Sequence, residues 1–272
     1  MHQTAVTELR QERSIIVSDN KRRLKVLSID FDYFQNVDVD TIRNCYPDGI
    51  DLSTKLSSIV WAGYYANDKT KCQLGNVTIL DDELNKLRRI LTSRNNTRVS
   101  TPVLITNSHV HIYDFIHKHA RKFNATDVNI VNIDMHHDLF NNNPELDCGN
   151  WLSHIHDDFK DHCNISWIAN PISKKCYDFN ETLNRIVLDS IDSIRDCKFD
   201  IIFLCRSDNW LAPHLDTYFN DLVKLISLRF ANVNIEECVM NPRNITSLAQ
   251  SMSRAQSLMP AYSSIVSEQY RV

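Results

Sequence analysis

The sequence predicts an α/β protein built on a mainly parallel sheet with helices on both faces, and three observations carry that expectation. Short, strongly apolar runs recur along the chain, and each stops in a cluster of polar residues. Between them lie segments with the 3.6-residue periodicity of amphipathic helices. The 272 residues are 43% hydrophobic and 24% charged, so a core of ordinary size can be buried. No repeat, low-complexity tract or Pro/Ser-rich linker divides the chain. Residues 1–272 therefore read as a single domain, with 1–22 as a peripheral segment.

The elements follow in order. Residues 24–29 (LKVLSI) end at Asp30, and 102–106 (PVLIT) end at Asn107-Ser108-His109. Residues 128–133 (VNIVNI) end at Asp134, and 199–205 (FDIIFLC) end at Arg206-Ser207-Asp208. Further strands are expected at 165–169 and 233–240. Residues 82–93 carry Leu84, Leu87, Ile90 and Leu91 as a helical stripe, and 110–123, 180–195 and 215–229 read the same way. Strands alternating with helices of this length indicate βαβ units, in which function gathers at the carboxyl ends of the strands.

Composition excludes several classes of function. A net charge of −4 and a pI near 6.2 leave no basic excess for nucleic acid, and Lys21-Arg22-Arg23 reads as a solvated flank. Four glycines are too few for a Gly-rich phosphate loop. No run reaches the ~20 apolar residues that span a bilayer. Residues 1–20 lack the apolar core of a secretory signal, and the eight cysteines form no Cys-x-x-Cys pair. Reduced thiols and a cytoplasmic location are expected.

The chemistry concentrates at the strand ends. Asp134-Met135-His136-His137-Asp138 is an Asp-x-His-x-Asp pattern. Alternation along an extended segment would put Asp134, His136 and Asp138 on one side, as ligands for Mn²⁺, Fe²⁺ or Zn²⁺. Asp30 and Asp32 would share a face opposite Ile29, Phe31 and Tyr33, and two carboxylates so placed repel each other unless a cation stands between them. Nine of the eleven histidines fall between 109 and 162. Either His109 or His111 is expected to complete a two-metal site, the other contacting substrate. The clusters Asp147-Cys148-Gly149-Asn150-Trp151 and Arg206-Ser207-Asp208-Asn209-Trp210 are expected to line the pocket, with Asn150, Trp151, Arg206 and Ser207 as candidates to meet the substrate. Asp208 would hold a cationic group of the substrate or cap a helix, and His154 or His156 would shuttle protons.

These motifs resemble those of the arginase and ureohydrolase superfamily, which also holds the deacetylases. Asp134-x-His136-x-Asp138 and Ser28-x-Asp30-x-Asp32 are similar to its two metal-ligand signatures, and 102–109 (PVLITNSH) to the strand that supplies its first histidine ligand. His109-Val110-His111, Asp134 to Leu139, Asn150-Trp151, Ile29 to Phe34 and Arg206-Ser207 resemble a divergent branch that includes the peptide arginases of ribosomal peptide natural-product pathways. The resemblance implies an arginase-like three-layer sandwich with two Mn²⁺ held by Asp30, Asp32, His109, Asp134, His136 and Asp138. It implies hydrolysis of arginine side chains in a precursor peptide to ornithine and urea, with Asp138, His111 and His154 as catalytic residues. Here Ser-x-Asp-x-Asp precedes Asp-x-His-x-Asp, an order that looks circularly permuted. A metal-dependent amide hydrolase of the same fold, or a metal-stabilised binding module, are the alternatives.

Overall fold

The computed structural model describes residues 22–47, 51–140, 143–176 and 185–269, with backbone alone at 185 and 258–269. The peripheral segment expected over 1–22 lies outside these residues except for Arg22, which opens the first strand. In chain order the strands are β1 (Arg22–Asp30), β2 (Gln35–Asn36), β3 (Thr78–Ile79), β4 (Val103–Thr106), β5 (Ala125–Asp134), β6 (Cys163–Ala169), β7 (Arg185–Leu188), β8 (Ile201–Cys205) and β9 (Val233–Ile235). The α-helices are α1 (Val39–Cys45), α2 (Thr54–Ala66), α3 (Asp68–Leu74), α4 (Asp81–Thr92), α5 (Ile112–Phe123), α6 (Trp151–Phe159), α7 (Ser173–Cys176), α8 (Asp216–Arg229) and α9 (Thr246–Gln269).

Seven strands form one sheet in the order β7-β6-β5-β1-β8-β4-β9, and every pairing in it is parallel. β2 and β3 form a separate antiparallel ribbon. The sheet is buried on both faces, which is why its strands read as continuous apolar runs. Val26, Val128, Ile130, Ile165, Ile201 and Phe203 pack with α5 and α6 on one side. Leu27, Ile29, Ile133, Ile168, Ile202 and Leu204 pack with α2, α4 and α8 on the other. Neighbours in sequence fall on opposite faces because the strand repeats every two residues. The result is a three-layer α/β fold.

β1 lies between β5 and β8, which the chain reaches from excursions in opposite directions. From β5 it runs outward through β6 and β7, then crosses to β8 on the far side of β1. Such a switch point opens a crevice at the carboxyl ends of the central strands.

Two expected elements differ. The helix read over 180–195 lies partly outside the described residues, and the rest is β7 followed by a 3₁₀ turn at Ile191–Ile194. β7 is an edge strand whose Ile186 and Val187 are 64% and 37% exposed, so its apolar residues mark β propensity and not a buried helical stripe. The strand read over 233–240 stops at Ile235, and a 3₁₀ turn covers Glu237–Val239. Arg22 and Arg23 of the basic triplet are exposed. All eight cysteines are free thiols. Among the described residues no helix is long and apolar enough to cross a membrane.

Candidate metal centre

Register brings the first two carboxylates together. Ile29 pairs with Ile133, so Asp30 and Asp134, the last residues of β1 and β5, leave the sheet side by side. Beyond them the chain does not continue in the extended form that alternation assumed. After Asp30 it turns into a 3₁₀ helix, Phe31–Phe34, capped by Asp30 Oδ1 accepting from the Asp32 amide at 3.2 Å. After Asp134 its own Oδ1 accepts from the His136 amide at 2.7 Å, and Asp138 takes the left-handed φ of 52°. Tight turns, and not strand periodicity, therefore aim Asp32, His136 and Asp138. An aspartate tolerates that left-handed backbone better than most residues.

The histidine arrives from the next strand but one. Past β4, Ser108 caps a 3₁₀ turn at His109–His111. His109 points inward and is 3% exposed. His111 points out, 46% exposed, with Nε2 3.9 Å from Glu236 Oε1. The choice left open by the sequence falls to His109 because one turn of tight helix places residues two apart on different sides.

The geometry is that of two adjoining donor groups. His109 Nδ1 faces Asp30 Oδ2 at 3.2 Å, Asp134 Oδ2 at 3.3 Å and Asp138 Oδ2 at 3.1 Å. His136 Nδ1 lies 2.9 Å from Asp32 Oδ2 and 3.7 Å from Asp134 Oδ1. Asp30, His109 and Asp134 form one set of atoms able to hold a metal ion, and Asp32, Asp134 and His136 form another, each within 4.8 Å. Asp134 belongs to both and turns one oxygen to each. Although these polar atoms face one another at 2.9–3.3 Å, His109 Nδ1 and Asp32 Oδ2 are buried and make no well-directed hydrogen bond. Leaving such atoms unsatisfied costs several kcal/mol, about 1–3 for each neutral group and more for a charge. A cation between them removes that cost, so the residues present fit a metal.

The surroundings orient these ligands. His109 Nε2 shares a 2.7 Å hydrogen bond with Ser28 Oγ. With Nε2–H donating, the Nδ1 lone pair faces the carboxylates, as metal-binding histidines require. The ring is stacked on Phe203 at 5.5 Å and leans on Trp151 at 5.0 Å. Trp151 Nε1 donates to Asp138 Oδ2 at 2.6 Å, Asn132 Nδ2 to Asp134 Oδ2 at 3.1 Å, and the Met135 amide to Asp32 Oδ1 at 3.3 Å. Electrostatics shows what so much buried negative charge demands. Burial, then Asp30, pushes Asp32 well above the usual carboxylate range. Burial, then Asp134, pushes Asp138 up to about 6. Burial pulls His109 down, but Asp138, Asp134 and Asp30 outweigh it and raise it well above its ordinary value. Burial and Asp30 act upward on Asp134, yet His109 and His136 hold it below its ordinary value. Without cations the cluster must take up protons.

Above the cluster opens a cleft of about 640 Å³, lined by Asp30, His109, His136 and Asp138 and by residues from the flanking loops. Not every expected pocket residue reaches it. Ser207 does, with a left-handed φ of 58°. Asn150 does not. It is 1% exposed, accepts from the Asp147 amide and donates to the carbonyls of Asn143 and Glu145, so it braces the 143–150 loop. Trp151 lies behind Asp138 and His109 and forms no wall. Arg206 is fully buried and bonds both oxygens of Asp208, at 2.5 and 3.2 Å, and the carbonyls of Cys238 and Asn241. Asp208, 2% exposed, is thereby spent on Arg206 and is not available to a substrate cation. His154 stands edge-on to Tyr113 at 6.3 Å, between α5 and α6 and outside the cleft, and His156 lies beside Asp157.

The structure adds Asp51, which no motif marked, and brings in Asp147 and Trp210 from the two clusters expected to line the pocket. Asp51, from the loop before α2, lines the cleft, as does Asp147. Burial raises Asp51 above the usual carboxylate range, while its hydrogen bond with Ser108 acts the other way. Trp210 lines the cleft and meets His136 edge to face at 5.5 Å. Asp51 carries no local signal, since nothing around it ends an apolar run. Asn132, two residues before Asp134 on one face of β5, could have been found from strand spacing. Compared with family models, curated proteins and solved structures, the chain matches none, so its family stands open and its site rests on its own geometry.

Proposed function

We propose that this chain is a binuclear-metal hydrolase that converts arginine side chains of a peptide to ornithine and urea. The observation that carries the reading is Asp134, whose two oxygens each face one of two adjoining donor groups. The resemblance of Asp134-x-His136-x-Asp138 and Ser28-x-Asp30-x-Asp32 to arginase signatures supplies the substrate. Eight free thiols accord with work in a reducing cytoplasm. An aspartate-rich donor set suits Mn²⁺ better than a closed zinc site. Two such cations would supply Lewis-acid charge and lower the pKa of bound water towards neutrality.

The protein's own part is to position and to move protons. The apolar walls of the cleft exclude bulk water and guide an alkyl arm to the cluster. Asp138 lines the cleft while Trp151 fixes one of its oxygens. It takes one proton from the attacking water and returns it to Nε as the Cζ–Nε bond breaks, and the second water proton follows from the same oxygen to the departing amine as the urea C=O forms. The water oxygen leaves as the urea carbonyl, and the guanidinium's positive charge leaves on the ornithine ammonium. Neither His111 nor His154 lines the cleft, so the proton transfers are assigned to Asp138.

Mass spectrometry of an arginine peptide incubated with the protein and Mn²⁺ tests the reading. Arginine should lose the mass of its amidine group and become ornithine, and an Asp134→Ala control should do nothing. An intact peptide with metal bound would refute it, and acetyl-lysine peptides and phosphoesters would then be the substrates to screen.

A further inference from the structure

The cleft has a one-sided charge. Asp30, Asp51, Asp138 and Asp147 line it, and the described lining residues include no lysine or arginine. Its other walls are largely apolar, with Val110, Phe140, Leu146 and Trp210. Away from the cluster that would hold the metal ions, a cation on an aliphatic arm meets both a countercharge and an apolar lining.

The four carboxylates are not equivalent. Asp30 and Asp138 face His109 and belong to the metal cluster. Asp147 Oδ1 accepts from the Gly149 amide at 2.9 Å and Oδ2 from Asn143 Nδ2 at 3.1 Å, so both oxygens hold its own loop. Asp51 is different. Ser108 Oγ donates to its Oδ2 and fixes the side chain beside the His109 turn, and among the described residues nothing donates to Oδ1. Asp208, another carboxylate near this end of the sheet, is paired with Arg206. Among the described residues, then, one carboxylate stands in the cleft held by Ser108 and bonded to no lysine or arginine, with His111 the nearby ionisable base that acts on it. It shares the cleft with His109, 3% exposed, whose Nδ1 is turned to the metal cluster.

We propose that Asp51 is the anchor of the substrate's cationic group, taking N–H donors of a guanidinium or ammonium whose alkyl arm lies along Phe140, Leu146 and Trp210. The assignment rests on the hydrolase reading only for which bond is cleaved; the cation binding itself is measured as an equilibrium on peptides recovered intact, as the lysine pair is under that reading. A charge-assisted hydrogen bond of this kind is worth about 10- to 100-fold in affinity.

The experiment is calorimetric titration of the Mn²⁺-loaded protein with two pairs of short peptides, arginine against citrulline and lysine against norleucine, with each titrated peptide then analysed by mass spectrometry. Wild type should bind at least one cationic member about 10- to 100-fold more tightly than its neutral counterpart. The pair that shows the preference identifies guanidinium or ammonium. Asp51→Asn keeps an acceptor for Ser108 and should abolish the preference with Mn²⁺ stoichiometry unchanged. In wild type the preference should also shrink with added salt. A preference that survives in Asp51→Asn, or is absent from both wild-type pairs, overturns the anchor. If arginine stays intact while the preference depends on Asp51, the hydrolase reading fails and the anchor stands. If arginine is converted with the same KM in Asp51→Asn, the anchor fails and the hydrolase reading stands.

Discussion

Ser28 is small and buried, and by accepting from Nε2–H it would leave the lone pair of His109 on Nδ1. Ser28→Ala should therefore weaken Mn²⁺ binding about 10- to 100-fold while the fold persists. A competition titration with a metal indicator reads this, and an unchanged affinity would assign the ring's orientation to Phe203 and Trp151 alone. Asp32 and Asp134 separate by their positions. Asp32 serves the His136 group alone, whereas Asp134 serves both. Elemental analysis should find two Mn²⁺ per chain in wild type, about one in Asp32→Ala and none in Asp134→Ala. Equal losses in both variants would rule out a shared Asp134.

At the level of elements, two buried arginines knit the loops behind the cleft. Arg206 at the end of β8 bonds Asp208 and reaches carbonyls at 238 and 241, after β9. Arg243, just before α9, bonds Asp216 at the start of α8 and the carbonyls of Asp208 and Leu211. The Asp208 carbonyl also accepts from Ser57 and Trp61 of α2 at 2.7 and 2.8 Å. β8, α2, α8 and α9 thus meet at one turn, which carries the left-handed Ser207. Arg206→Met leaves the Asp208 carboxylate buried and unpaired, at a cost of about 3–5 kcal/mol. Adding Asp208→Leu should recover much of that loss, because replacing both members of a buried pair is far milder than removing one. Urea unfolding measures both, and a single-variant loss below about 1 kcal/mol would mean that the pair is solvated.

Over the whole molecule the cluster couples stability to protons and metal. Asp138, at about 6 when folded, Asp32 and His109 all bind protons more tightly in the folded state. A raised carboxyl destabilises as the pH climbs from its unfolded value, ~4, through its folded one. The contribution of a raised histidine is full below ~6.5 and is lost as the pH rises through its higher folded value. Both act in the same direction, so the cation-free protein should lose stability between about pH 4 and values above 6.5. Asp134, held low, opposes this only by losing its stabilisation as the pH falls below ~4. Mn²⁺ competes with those protons and should raise the melting temperature more at pH 8 than at pH 5. Equal shifts at the two pH values, read by thermal scans with and without chelator, would disconnect the cluster from metal.

Much of this was legible in one dimension. Apolar runs that end in Asp30, His109, Asp134 and Arg206 report strand ends, because a parallel sheet buried on both faces writes each strand as an unbroken apolar stretch. Ligand-type residues at those ends marked the crevice before its geometry was known. Edge strand β7 and the low-contrast helices α2 and α9 were less legible, since burial on one side or polar packing leaves little periodicity. What only the folded chain decided was which neighbour each side chain meets. His109 and not His111 turns inward from its 3₁₀ turn, and there it meets Ser28, 81 residues away on the next strand but one. Asp208 is withdrawn from the cleft because carbonyls at 238 and 241 bury Arg206 beside it, and Asp51 enters because Ser108 holds it there. Local pattern encodes periodicity and where it breaks. Pairing across the sheet depends on register and on loops that close over long separations, and no short window of sequence contains that information.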